Sequence, residues 1–230
     1  MPIDERSAAP ARSAVGDLGF RRERTRQRML DAAFKLLGRE QGRNVRIEEI
    51  CADAGVSRAT FYNYFASMEE MYAALSFDLS HAFNVAARTS MARMEDTTER
   101  AAAGIRYYLD RAHEDPRWGW AMVHISAAGP LFGTETFGSV LASQEEGIAS
   151  GEFNIADARI GRDLVLGTAL AAMITLLRED VPPSYSRSVA LHVLRALGVP
   201  EAKARAVTDR PLPDPTVAAE LPGPPCEETN

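Results

Sequence analysis

The stretch from Arg46 to Phe65, RIEEICADAGVSRATFYNYF, limits the fold more than any other part of the chain. Ile47, Ile50 and Cys51 recur at i, i+3 and i+4, the spacing of one helix face. Gly55 follows, and a glycine can leave a helix through the left-handed region because it has no Cβ to clash there. Ser57 can then restart a helix, its hydroxyl accepting from the free N–H groups of the first turn. The reading is two short helices joined by a tight turn, a helix-turn-helix whose second helix can enter a DNA major groove. A helical corner inside an ordinary all-α domain has the same local signature, and the turn alone does not separate the two.

What surrounds the turn separates them. The segment from Arg24 to Leu75 resembles the DNA-binding domain of the TetR family of bacterial transcriptional regulators. The resemblance lies in RTRQRMLDAAFKLLGREQG, then IEEICADAGVS, then ATFYNYFASMEEMYAAL. The Phe-Tyr-x-Tyr-Phe run, with a Ser and then an acidic residue just after it, is its most specific part. The resemblance implies an all-α homodimer with two parts. An N-terminal three-helix helix-turn-helix domain reads the operator, and a C-terminal helical domain binds a small effector and dimerises. It also implies repression, release from DNA by the effector, and phosphate contacts from Tyr62 and Tyr64. Two positions depart from the family. Arg46 stands where a capping Thr is usual, and Met68 where a phosphate-binding Lys is usual. Arg46 cannot cap, but it can hold a phosphate bidentately. Asn44 is an alternative cap, one turn earlier.

By position in the motif, Ser57, Arg58, Ala59, Thr60, Tyr62, Asn63 and Tyr64, with Arg46, are the residues expected at DNA. Arg58 can reach guanine acceptors, and Thr60 a base edge or a thymine methyl. Phe61 and Phe65 are expected in the core. The net charge of −6 over 230 residues rules out a bulk polyanion binder. Yet Arg21, Arg22, Arg24, Arg26 and Arg28 crowd one helix start against only Glu23, which fits a focused nucleic-acid contact on an acidic protein, although a charge run by itself reads first as a solvated helix start.

In chain order, residues 1–19 read as a disordered N-terminal arm, 20–66 as the DNA-binding domain, 67–200 as the effector and dimerisation domain, and 201–230 as a disordered tail with six prolines. Ser67 with Glu70 has capping-box spacing and opens a long helix, running to about residue 93, that links the two domains as a lever. Further helices are expected at about 96–115, 116–127, 134–150, 157–179 and 184–197. The last two carry more apolar surface than one small body can cover. They are the expected homodimer interface, the same patch on both subunits.

Phe83, Tyr108, Trp118, Met122 and Phe137 are the candidates to line a pocket for an apolar or aromatic effector. No cofactor is expected. The chain has no Gly-rich phosphate loop, no GxSxG, no HExxH and no cysteine pair, so no catalytic or metal-ligating set stands out. The competing class is an all-α ligand-binding or small hydrolytic protein without specific DNA binding. A sensor that has lost DNA binding is a further alternative, resting on Met68. With two separated cysteines, no apolar leader and a longest apolar run of residues 164–177, a cytoplasmic location with no membrane partner is expected.

Overall fold

A computed structural model describes residues 11–215, with side chains from Gly19 onward. The described residues form ten α-helices and no strand. The helices are α1 (Ala11–Leu37), α2 (Ile47–Ala54), α3 (Arg58–Tyr62), α4 (Met68–Met91) and α5 (Thr97–Glu114), followed by α6 (Pro116–Ser126), α7 (Gly133–Ala149), α8 (Ala158–Arg178), α9 (Tyr185–Ala196) and α10 (Glu201–Thr208). A single 3-10 turn, Gly42–Asn44, precedes α2.

Five of the ten helix starts are set by a side chain accepting from otherwise unpaired N–H groups. Ser57 accepts from Thr60 N and Ser67 from Glu70 N. Asp96, Asp115 and Asp157 do the same for α5, α6 and α8. Pro116 occupies the first turn of α6, where its missing N–H costs nothing. The Ser67–Glu70 pair differs from the expected box by one residue. The Glu70 carboxylate accepts from Ala66 N at 2.6 Å rather than from the Ser67 backbone.

Two buried cores result. The first joins Met29, Leu37, Ile50, Phe61, Phe65 and Met71, and draws Ala121 and Ile125 from α6. The second, larger core lies among α5 to α10 around Trp118, Met122, Phe132, Met173 and Leu194. Helix α4 belongs to both: Met71 and Leu75 sit in the first, and Leu79 touches each. Head and body are therefore packed on each other through α4 and α6, as a lever requires.

Both ends differ from expectation. Helix α1 reaches back to Ala11, into the expected arm, and residues 1–10 lie outside the described residues. Residues 201–214 are a docked strap. Ala204, Val207 and Thr208 of α10 are buried at i, i+3 and i+4. Arg106 donates to the Thr208 and Arg210 carbonyls, and Tyr107 to that of Pro213 at 2.7 Å. The six prolines all fall at 211 or later and say nothing about the ten residues before them, eight of which form α10. Residues 216–230, with Cys226, lie outside the described residues.

Candidate functional site

The turn between α2 and α3 is built as its residues require. Gly55 adopts φ 63° and ψ 42°, and Val56 N returns to the Cys51 carbonyl at 2.9 Å. Arg28 donates to the Ala54 carbonyl and, at 3.3 Å, to that of Gly55. This arginine of the basic cluster is thus spent on closing α2. Arg26 lies over the Phe65 ring and near Asp78, and Arg22 over the Tyr64 ring.

Helix α3 turns Phe61 inward, at 0% exposure, with Phe65 at 2% just beyond it. This leaves Ser57, Arg58, Ala59, Tyr62 and Asn63 exposed together, with Thr60 and Tyr64 half-buried beside them. The Ser57 hydroxyl meets Thr60 twice, at the backbone N (3.0 Å) and at Oγ1 (2.9 Å). Arg46 is exposed at the N-cap position of α2. Glu49 accepts from Arg46 N at 2.8 Å, while the reciprocal bond is missing because a guanidinium has no acceptor. Asn44 does not cap this helix; it lies in the 3-10 turn. Arg58 is not idle. Its Nη1 donates to Glu48 at 2.6 Å, and its guanidinium lies over the Tyr62 ring at 5.8 Å. Met68, the first residue of α4, packs half-buried against the head core.

In the body, a cavity of about 330 Å³ opens between the C-terminal half of α4, α5, α7 and α8. Its walls are apolar over most of their area, with Met91, Ile105, Phe132, Val140, Val165 and Leu166 among them. One buried polar knot lies in the wall. Tyr108 donates to Asn84 Oδ1 at 2.8 Å, and Asn84 Nδ2 donates to Thr136 Oγ1 at 3.2 Å. The Thr136 hydroxyl, 2.7 Å from Tyr108 Oη, closes the ring by donating to it, since the Tyr108 proton is already used. Burial pushes the Tyr108 phenol up to about 12, so it stays neutral and donating. This three-membered ring ties α4, α5 and α7 together. Just outside it, Glu135 of α7 accepts from Arg88 of α4 at 2.7 Å and pairs with His81 at 3.2 Å.

Of the five aromatic and sulfur residues expected at a pocket, Tyr108 lines this cavity. Phe83 and Trp118 stand behind it, their rings 5.6 Å from that of Tyr108. Met122 is sealed in the core at 0% exposure. Phe137 is covered by the Arg162 guanidinium, 4.0 Å from its ring. Helical spacing places such residues on an inner face, but it does not say which of them border an empty volume. The wall's polar residues, Asn84, Thr136 and Gln144, went unread. Their one signal in the sequence is a short polar side chain at a position of helical periodicity otherwise given to apolar residues.

The description "Bacterial regulatory proteins, tetR family" fits residues 29–75. "Tetracyclin repressor-like, C-terminal domain" fits residues 96–210, half of the 230-residue chain. The chain belongs to the TetR family. It is accordingly a DNA-binding, ligand-responsive transcriptional regulator, of a family whose members bind operator DNA and act as dimers with small-molecule ligands. A TetR-like fold is also seen in solved structures. RolR in complex with resorcinol matches 85% of this chain and 98% of its own, at 28% identity and a TM-score of 0.68. RolR without ligand matches at a TM-score of 0.63. FadR from Bacillus subtilis, in complex with stearoyl-CoA, shares the fold at 19% identity and a TM-score of 0.54 over 74% of this chain. An uncharacterized HTH-type transcriptional regulator of Haemophilus influenzae is 35% identical over 58 residues. That match spans 25% of this chain and 28% of the relative. In this TetR-family chain the cavity abuts α4, whose other end starts just beyond the reading helix.

Proposed function

We propose that the protein is a cytoplasmic repressor that binds a near-palindromic operator as a homodimer and leaves it when a small aromatic effector enters the cavity of the body. The observation that carries this reading is the span of α4. Asn84 on α4 belongs to the cavity's polar ring, while Met71 on the same helix is locked into the core under α3. An effector that shifts Asn84 shifts a rigid element seated against the reading helix, and a shift of this kind is how coupled sites communicate.

Arg58, Thr60 and Ala59 contact base edges, while Ser57, Tyr62, Asn63, Tyr64 and Arg46 hold phosphates. The dimer forms through α8 and α9. Helix α8 leaves Ile160 54% exposed and Gly167, Thr168 and Ala171 uncovered along its outer side. It is long and apolar enough to cross a membrane, but it packs on α5, α6, α7 and α9. RolR's resorcinol and the apolar walls of this cavity support an aromatic effector, and the 330 Å³ volume is at the small end for ligand sites.

The test is fluorescence anisotropy on DNA from upstream of the protein's own gene, with excess unrelated duplex. Thr60→Ala with Tyr62→Ala serves as the control. Nanomolar binding that survives competitor and fails in the control is the expected result. Binding no better than to competitor DNA would leave two readings, an operator elsewhere or a sensor that no longer reads DNA. Met68→Lys restores the family's missing charge, so binding tightens and the salt dependence steepens by about one phosphate contact. An unchanged slope would show that Met68 does not face the backbone.

A further inference from the structure

Gly104 lies inside α5, more than a turn from either end, and borders the cavity of the body. A glycine there destabilises the helix relative to alanine, because it gives up more backbone freedom on folding. The packing does not require it. Its φ lies outside the left-handed region that Gly55, Gly133, Gly151 and Gly198 occupy. A Cβ at Gly104 would meet no atom within 4 Å among the described residues. Two buried glycines of neighbouring helices are of another kind: Gly119 leaves room for Leu177, and Gly147 for the Phe153 ring. The space beside Gly104 is empty, and it belongs to the cavity. Arg100 and Ala101, one turn before, and Tyr107 and Tyr108, one turn after, border the same cavity. The glycine therefore keeps open a volume that no neighbouring side chain uses.

We infer that Gly104 sets the size of the effector: the recess over it takes a second fused ring, so the effector is a bicyclic aromatic and not a single ring. The inference deepens the effector reading of this cavity and rests on it. The volume agrees. An apolar cavity of about 150 Å³ holds one benzene. This one, at about 330 Å³, has roughly twice that space. The walls from α7 and α8 contribute Val140, Val165 and Leu166, apolar groups that suit the faces of such a ligand. Gly104 is then the residue that selects among aromatics of different size.

The experiment is calorimetric titration of the 230-residue protein with phenol and 1-naphthol, which share a hydroxyl and differ by one ring. It is repeated on Gly104→Ala, Gly104→Leu and Val140→Phe. Gly138→Ala is the control: Gly138 is exposed on α7, lies outside the cavity wall and has nothing within 4 Å of a Cβ. 1-Naphthol is expected to bind about tenfold more tightly than phenol. Gly104→Ala should weaken 1-naphthol about fivefold, and Gly104→Leu should remove its advantage while phenol stays within about threefold. Gly138→Ala should leave both affinities unchanged. Both alanine variants should melt about 2 °C higher, since each gains a better helix former. Weaker binding by a more stable protein separates lost volume from lost folding. Full 1-naphthol affinity in Gly104→Leu, with loss in Val140→Phe, would overturn the assignment to Gly104 while leaving the cavity as the effector site. Equal loss of both compounds in Gly104→Leu would overturn size selection there. Phenol binding as tightly as 1-naphthol would overturn the two-ring class. Failure of both compounds to bind, or 1-naphthol binding that neither Gly104→Leu nor Val140→Phe disturbs, would overturn the effector reading of the cavity, and the inference with it.

Discussion

Trp118→Ala should lower stability by about 3–5 kcal/mol, the range for deleting a fully buried large aromatic. Trp118 is 2% exposed and at the centre of the larger core. Its indole N–H donates to the Leu79 carbonyl at 3.0 Å, fastening α6 to α4. Its ring stands 6.1 Å from Phe83 and 5.6 Å from Tyr108. The substitution therefore opens a void, strips a donor from the lever helix and removes the support behind Tyr108. Urea denaturation followed by circular dichroism measures the loss. Trp118→Phe, which keeps much of the buried area but not the donor, should cost less than half as much. A loss below about 1 kcal/mol for the alanine variant would mean that the surrounding helices close over the gap.

At the other end of the molecule, Arg58→Ala should weaken operator binding by about 1–3 kcal/mol, some five- to 150-fold, and relax the base preference at one position. Glu48→Gln should act with the opposite sign on affinity. The Glu48 carboxylate holds Arg58 at 2.6 Å on the face proposed to meet DNA, so it places a negative charge close to the phosphates. Removing that charge should tighten binding to any duplex. It should also narrow the ratio of operator to non-specific affinity, because the guanidinium loses the partner that aims it. Both side chains are more than half exposed, at 61% and 56%, so the pair contributes little to folding and the variant should stay folded. Salt-dependent anisotropy on specific and unrelated duplexes checks both. An unchanged specificity ratio would show that Glu48 does not orient Arg58.

The head was legible because its signals are local. The Gly55 turn, the Ser57 cap and the alternation of Phe61 and Phe65 with Tyr62 and Tyr64 follow from spacing and backbone chemistry alone. Helix stops at Gly151 and Gly198, at φ 74° and 84°, could be read for the same reason. The hydrogen-bonded ring of Asn84, Tyr108 and Thr136 could not, because it joins residues 24 to 52 positions apart that meet only when three helices pack. Glu48 was missed in the same way, since its pairing with Arg58 depends on the angle between two helices. The strap was misread because proline density at 211 and beyond drew attention away from Ala204, Val207 and Thr208.

That strap also sets an order of assembly during synthesis. The core of the DNA-reading end takes nothing beyond Ile125 among the described residues, so it can close while the chain is still being made. The outer side of α5 cannot, because Arg106 waits for a carbonyl 104 residues later in the chain. At a translation rate of about 5–20 residues per second, this leaves Arg106 and Tyr107 without these carbonyl partners for roughly 5–20 s on each ribosome. A nascent chain would thus close the core under its reading helix before its sensing end is complete, and a chain stalled near residue 200 would have the first without the second.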